Sequence, residues 1–251
     1  MRTSNPALNK NSFANLPSSS NGEEMTINGT VNKTLILLAL LLLPASYMWT
    51  SVYAAIDDWG ISSNFTAILI GGVILGLIFA IITIFKKEWA PVTAPIYALA
   101  EGVVLGTLSA IMEMSFQGIV IQAVALTFGT LLVLLFAYKS RLIKVTQNFR
   151  LGIIAATGAI ALIYLLSFIL GIFGVGIPYI HESGLIGIGF SLFVVTIAAL
   201  NLVLDFDFIE RGAQHKAPKY MEWYAAFGLI VTLIWLYLEI LRLLAKIRSR
   251  R

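Results

Sequence analysis

Residues Asn201 to Glu222, NLVLDFDFIERGAQHKAPKYME, form the longest run of polar chemistry in the C-terminal half of the chain. The apolar run leading into it, Gly184 to Leu204, carries no charge, and the run after it, Trp223 to Ala245, carries one carboxylate, Glu239. Each run is close to the ~20 residues that a membrane-spanning helix needs. The stretch therefore reads as a polar turn between two spanning helices, with Asp205, Asp207 and Glu210 at the end of the first. Those acids are either an interfacial boundary or one side of a gate.

Five more apolar segments precede this pair: Thr34 to Ile56, Ser62 to Phe85, Ala94 to Met114, Ile119 to Tyr138 and Leu151 to Phe173. Hydrophobic residues make up 59% of the 251 and charged ones only 12%, far from the balance of soluble domains. The alternating pattern of an outer-membrane barrel is absent. The expected fold is all-α, a polytopic membrane protein with seven transmembrane helices. Residues 1–33 are polar and rich in Asn and Ser and read as a flexible arm, 34–247 as the seven-helix domain, and 248–251 as a basic tail. Pro44 removes one backbone donor from the first helix and should bend it.

The chain has no cysteine, which removes disulfides, thiolate chemistry and cysteine metal sites. Its two histidines, His181 and His215, form no HExxH pattern, and the helices hold no nucleophile-base pair. No enzymatic activity and no cofactor are expected. The net charge of +4 sits in loops and tail rather than in a groove with interleaved aromatics, so the partner it implies is the bilayer, not nucleic acid.

Charge also orients the chain, because cytoplasmic loops are enriched in Lys and Arg. Arg2, Lys10 and Lys33 precede the first segment, Lys86 and Lys87 follow the second, Lys139, Arg141, Lys144 and Arg150 flank the link after the fourth, and Arg211, Lys216 and Lys219 follow the sixth. The links after the first, third and fifth segments have none. This places the N-terminus in the cytoplasm, and the expected location is the cell (inner) membrane. The tail, with Arg242, Lys246, Arg248, Arg250 and Arg251, conflicts with seven crossings, but the seventh segment is long enough to cross and lacks a central proline.

Small residues at four-residue spacing, Gly72 and Gly76 in the second segment and Gly102, Gly106 and Ala110 in the third, predict close helix packing. Gly152, Ala156 and Ala159 in the fifth segment, and Gly184, Gly187 and Gly189 in the sixth, extend that expectation.

The acids inside or beside the segments carry the candidate chemistry. Glu101 lies several residues into the third segment, where a carboxylate is costly unless paired, hydrated or protonated. Asp207 and Glu210 share a helix face while Asp205 points about 160° away from Asp207, so the three cannot all reach one ion. Asp207 and Arg211 are spaced to pair at i,i+4, and Glu239 and Arg242 at i,i+3. Glu222 opens the seventh helix, where an acid suits the dipole, and Glu113 reads as interfacial. Several carboxylates in a bundle suit a hard cation such as Ca²⁺, or a shared proton and a response to pH.

The chain resembles the Bax inhibitor-1-like (transmembrane Bax inhibitor motif) family, in a bacterial YccA-like branch. The resemblance rests on Ala94-Pro95-Ile96-Tyr97-Ala98-Leu99-Ala100-Glu101-Gly102, on Leu204-Asp205-Phe206-Asp207-Phe208-Ile209-Glu210 and on Leu236-Tyr237-Leu238-Glu239-Ile240-Leu241. It implies a seven-helix bundle with the seventh helix central, and a pH-sensitive Ca²⁺ leak controlled by an acid on helix 6 and another on helix 7. Asp207, or Asp205 by a two-residue shift, matches the first acid, and Glu239 replaces the family's aspartate at the second. The YccA-like resemblance also implies the alternative, a modulator of a membrane-anchored protease to which the arm is presented. Glu239 lies about 24 Å along a helix counted from Trp223, so a direct pair requires a break at Gly228.

Overall fold

The computed structural model describes residues 24–55, 63–174 and 184–250. Most of the expected arm, with Arg2 and Lys10, and also His181 and Arg251, lie outside the described residues. Among the described residues there are seven α-helices: α1 (Ile27–Ala54), α2 (Ser63–Phe85), α3 (Ala90–Ser115), α4 (Ile119–Lys139), α5 (Gln147–Ile172), α6 (Leu185–Gln214) and α7 (Met221–Ser249), with a short 3₁₀ turn at Lys87–Trp89. All seven are long and apolar enough to cross a membrane. The chain is a multi-pass membrane protein whose environment is a lipid bilayer. α7 is the most buried of the seven and α5 the least.

The helices follow the apolar segments and differ at their ends. α1 begins at Ile27 rather than Thr34, inside the expected arm, because Thr26 stands in extended conformation and its hydroxyl accepts the Gly29 N–H as an N-cap. α6 does not end at Leu204 but runs on to Gln214, so Asp205, Asp207 and Glu210 lie within a helix rather than at its edge. α7 is unbroken from Met221 to Ser249, so the break at Gly228 that a direct acid pair requires does not occur. Between α3 and α4 only three residues turn the chain, and Gly118 supplies the left-handed backbone (φ 76°) that so tight a link requires.

The described residues form two compact units. One contains the residues up to Gln117 together with Phe208–Ile230, and the other contains Gly118–Asp207 together with residues 231–250. In the first unit α1 and α2 pack on α3. Gly102 faces the Leu41 carbonyl and the Pro44 ring, and Gly106 faces the Ala45 backbone, so α1 and α3 touch main chain to main chain. α1 continues through Pro44, and the glycine beside the proline ring leaves room for it. Gly72 and Gly76 lie against Val104 and Glu101. The small residues expected to pack elsewhere behave differently, since Gly152, Gly184 and Gly189 have nothing within 4 Å of where a side chain would begin. Gly152 and Gly189 stand at helix positions open to no close neighbour among the described residues, and Gly184 precedes α6.

The N-terminal root of α1 is tied to the α6–α7 connection within the same unit. The Met25 N–H donates to the Ala217 carbonyl, and Lys216 pairs with Glu24. Glu222, fully buried in the first turn of α7, accepts from both the Thr26 N–H (3.0 Å) and the Thr26 hydroxyl (2.9 Å) through Oε1, and Lys219 pairs with the same oxygen. The dipole explains an acid at this position, but its carboxylate also caps a helix whose sequence lies 196 residues away. Thr26→Ala should cost about 1–2 kcal/mol. Faster amide exchange at Asn28, Gly29 and Thr30 is the measurement, and exchange unchanged from wild type would refute the capping role.

Candidate functional site

In the second unit the inward stripe of α5 repeats at three- and four-residue steps: Arg150, Ile153, Thr157, Ile160, Tyr164. This is the spacing of a helix seam, and three of its five positions are polar. Each polar one finds a partner on another helix. The Arg150 guanidinium donates to Asp207 Oδ2 of α6 at 2.5 Å, in a pair largely shielded on both sides. The Asn201 amide of α6 donates to the Thr157 hydroxyl at 2.9 Å and to the Ile197 carbonyl at 2.8 Å. Tyr164 donates to Glu239 Oε1 of α7 at 2.9 Å.

Glu239 is 1% exposed and is held by two donors on one oxygen, since Arg242 also reaches Oε1 at 2.8 Å and the Tyr164 hydroxyl at 2.9 Å. The i,i+3 pair expected from the sequence is therefore present, with a tyrosine from α5 added. Arg242 also lies over the Tyr164 ring, 5.2 Å from its centre. The second oxygen, Oε2, is buried and takes no hydrogen bond among the described residues. One turn further along α7, the buried Lys246 donates to the Ser191 hydroxyl (2.9 Å) and the Gly187 carbonyl (3.2 Å) of α6.

These contacts fix how far apart the candidate acids are. Asp207 bonds to residue 150 of α5 and Glu239 to residue 164, fourteen positions along one helix, or about 21 Å at about 1.5 Å per residue. Asp205, two residues from Asp207, stands about 18 Å from the Glu239 level by the same measure. No side chain spans that distance to make a direct carboxylate pair. The physical reason is the unbroken α7, which carries Glu239 deep along the helix. Asp205 is itself buried, at 2% exposure, on a different face of α6 from Asp207.

The other expected residues sit elsewhere. Glu101, in the first unit, lies against Gly76, and no hydrogen bond or ion pair among the described residues reaches it. Glu210 accepts from Gln214 one turn on, and His215 closes the end of α6 by contact with the Arg211 carbonyl. In the link before α7, burial and then the nearby Glu88 push the Tyr220 phenol above its ordinary pKa, so it stays neutral. Among the described residues no three His, Asp or Glu side chains converge to hold a metal ion.

Three contributors were not singled out from sequence. Arg150 counts there as a loop charge that sets topology, yet it is buried. Thr157 and Tyr164 look like ordinary helix polar residues. The signal that would have found all three is their spacing of seven, which places them on one face of a helix with no other charge.

No curated protein and no solved structure matches the chain. The sequence does match the Bax inhibitor 1 like family from residue 5 to residue 249, nearly its whole length. Coverage of that extent, over all seven spanning helices and the α5–α6–α7 polar seam, makes the chain a member of the Bax inhibitor 1 like family.

Proposed function

We propose that the protein is a pH-sensitive leak pathway for cations, with Ca²⁺ as the cargo, controlled by carboxylates on α6 and α7. The observation that carries this reading is Glu239, a buried acid within a spanning helix, engaged on one oxygen and idle on the other. A carboxylate at such depth is expensive and is kept where it serves an ion or a proton. Protonating it weakens its ion pair with Arg242 and its acceptor role toward Tyr164, which loosens α7 from α5. Lys246, one turn beyond Arg242 on α7, is bonded to Ser191 of α6.

Asp207, or Asp205 beside it, acts at the opposite end of the α5 seam, where Arg150 is the facing charge. The two acids then work as separate ends of one path rather than as a touching pair. Glu101 is a further candidate for proton binding, and the reading is one of transport rather than catalysis. The charge of its links supports an N-terminus in the cytoplasm, and on this reading the membrane is the cell (inner) membrane.

The test is Ca²⁺ flux into proteoliposomes at two pH values for wild type, Glu239→Gln and Asp207→Asn. The wild type should leak in a pH-dependent manner and Glu239→Gln should flatten that dependence. Identical pH-dependent flux in all three proteins would remove these residues from the mechanism.

A second reading, a modulator of a membrane-anchored protease, draws on the tie between Glu24–Thr26 and the α6–α7 connection, which gives the residues before it a fixed base. Removing residues 1–23 should abolish co-purification with the protease, and an undiminished yield would count against it.

A further inference from the structure

Two apolar positions, Ile153 and Ile160, alternate with the polar contacts of the α5 seam, and Ile160 is the one at the centre of a packed layer. Ile160 of α5, Val194 and Ile197 of α6 and, packed against them, Trp235 of α7 fill the level between the Thr157–Asn201 bond and the Tyr164–Glu239 bond. Ile160 and Val194 are fully enclosed. On one side of the layer the seam continues through Thr157 and Asn201 to the Arg150–Asp207 ion pair. On the other it continues through Tyr164, Glu239 and Arg242 to Lys246 and Ser191.

The dimensions suit a barrier. Thr157 to Tyr164 is seven residues, so the apolar step is about 10 Å long at about 1.5 Å per residue. That is about a third of the ~30 Å hydrocarbon core. Groups able to hold water or an ion flank it on both sides, whereas the layer itself offers aliphatic carbon and an indole. A narrow apolar ring of this kind stops ions by excluding water, and it opens when a polar group or a small separation lets water in.

We propose that the Ile160–Val194–Ile197–Trp235 layer is the closed gate of the ion path along α5, a hydrophobic constriction between two polar half-channels. The inference rests on the cation-leak reading and specifies where that leak is blocked. It also assigns the half-channels: Arg150, Asp207, Thr157 and Asn201 to one, and Tyr164, Glu239, Arg242 and Lys246 to the other. Movement of Glu239 opens the layer indirectly, because Glu239 and Trp235 lie one turn apart on α7 and shift together.

Two measurements decide the matter. In Ca²⁺-loaded proteoliposomes, Ile160→Asn and Ile160→Thr should raise the leak at least tenfold at constant pH, while Ile160→Leu stays within about twofold of wild type. A wild-type leak that Ile160→Asn and Ile160→Thr leave unchanged overturns the gate alone. No leak in the wild type with a leak in Ile160→Asn overturns the leak reading and supports the barrier, and no leak in either overturns both. Because the chain has no cysteine, Thr157→Cys and Tyr164→Cys provide a second measurement that needs neither flux nor a polar residue in the layer. A charged, membrane-impermeant thiol reagent should modify Thr157→Cys only from the Arg150 side and Tyr164→Cys only from the opposite side. Modification of either cysteine from both sides would show that no barrier lies between them.

Discussion

Gly102→Val and Gly106→Val should each lower stability by about 3 kcal/mol or more, the upper part of the range for overpacking. A side chain at Gly102 would overlap the Leu41 carbonyl and the Pro44 ring, and one at Gly106 the Ala45 backbone. Main chain cannot rotate out of the way as a side chain can, so α1 must separate from α3. For a chain of this size the loss corresponds to a fall in Tm of roughly 6–12 °C in detergent solution. Gly129→Ala and Gly152→Ala, with nothing within 4 Å of the new carbon, should change stability by no more than about 1 kcal/mol. Equal effects at all four positions would mean that close α1–α3 contact is not what the glycines provide.

Asp207→Leu should cost about 3–5 kcal/mol, because it strands the buried Arg150 guanidinium without its carboxylate. The double variant Arg150→Met/Asp207→Leu should recover most of that loss, since a buried ion pair is often no more stable than apolar side chains of similar volume. Thermal unfolding of the two single variants and the double variant forms the cycle. Additive losses in the double variant would mean that the two side chains act independently despite their 2.5 Å contact.

How legible all this was in the sequence depends on the range of the interaction. The spanning helices follow from local composition, and each apolar segment became one helix. Their ends were harder to read because they depend on distant partners. α1 starts early because Thr26 is held by Glu222, and α6 runs on beyond Leu204 with acids embedded in it. The i,i+3 pair of Glu239 and Arg242 was readable because helix geometry alone produces it.

The site was less legible than the fold. Sequence marks Asp205, Asp207 and Glu239 as acids in unusual places, but the α5 partners of Asp207 and Glu239 lie 57 and 75 residues away. Pairing at that range depends on helix register. Register also separates the acids that the family resemblance draws together, and only an unbroken α7 reveals it. The Arg150, Thr157, Tyr164 repeat was present in the sequence as a period of seven, overshadowed by the role of Arg150 as a topological charge.

The clasp between Thr26 and Glu222 also orders events in time. α1 leaves the ribosome before α7, and the carboxylate that completes its N-terminal cap is made 196 residues later. At about 5–20 residues per second, the start of α1 waits roughly 10–40 s before that acceptor exists. Through that interval the Thr26 N–H lacks its Glu222 acceptor, and the cap of α1 is finished only when α7 begins.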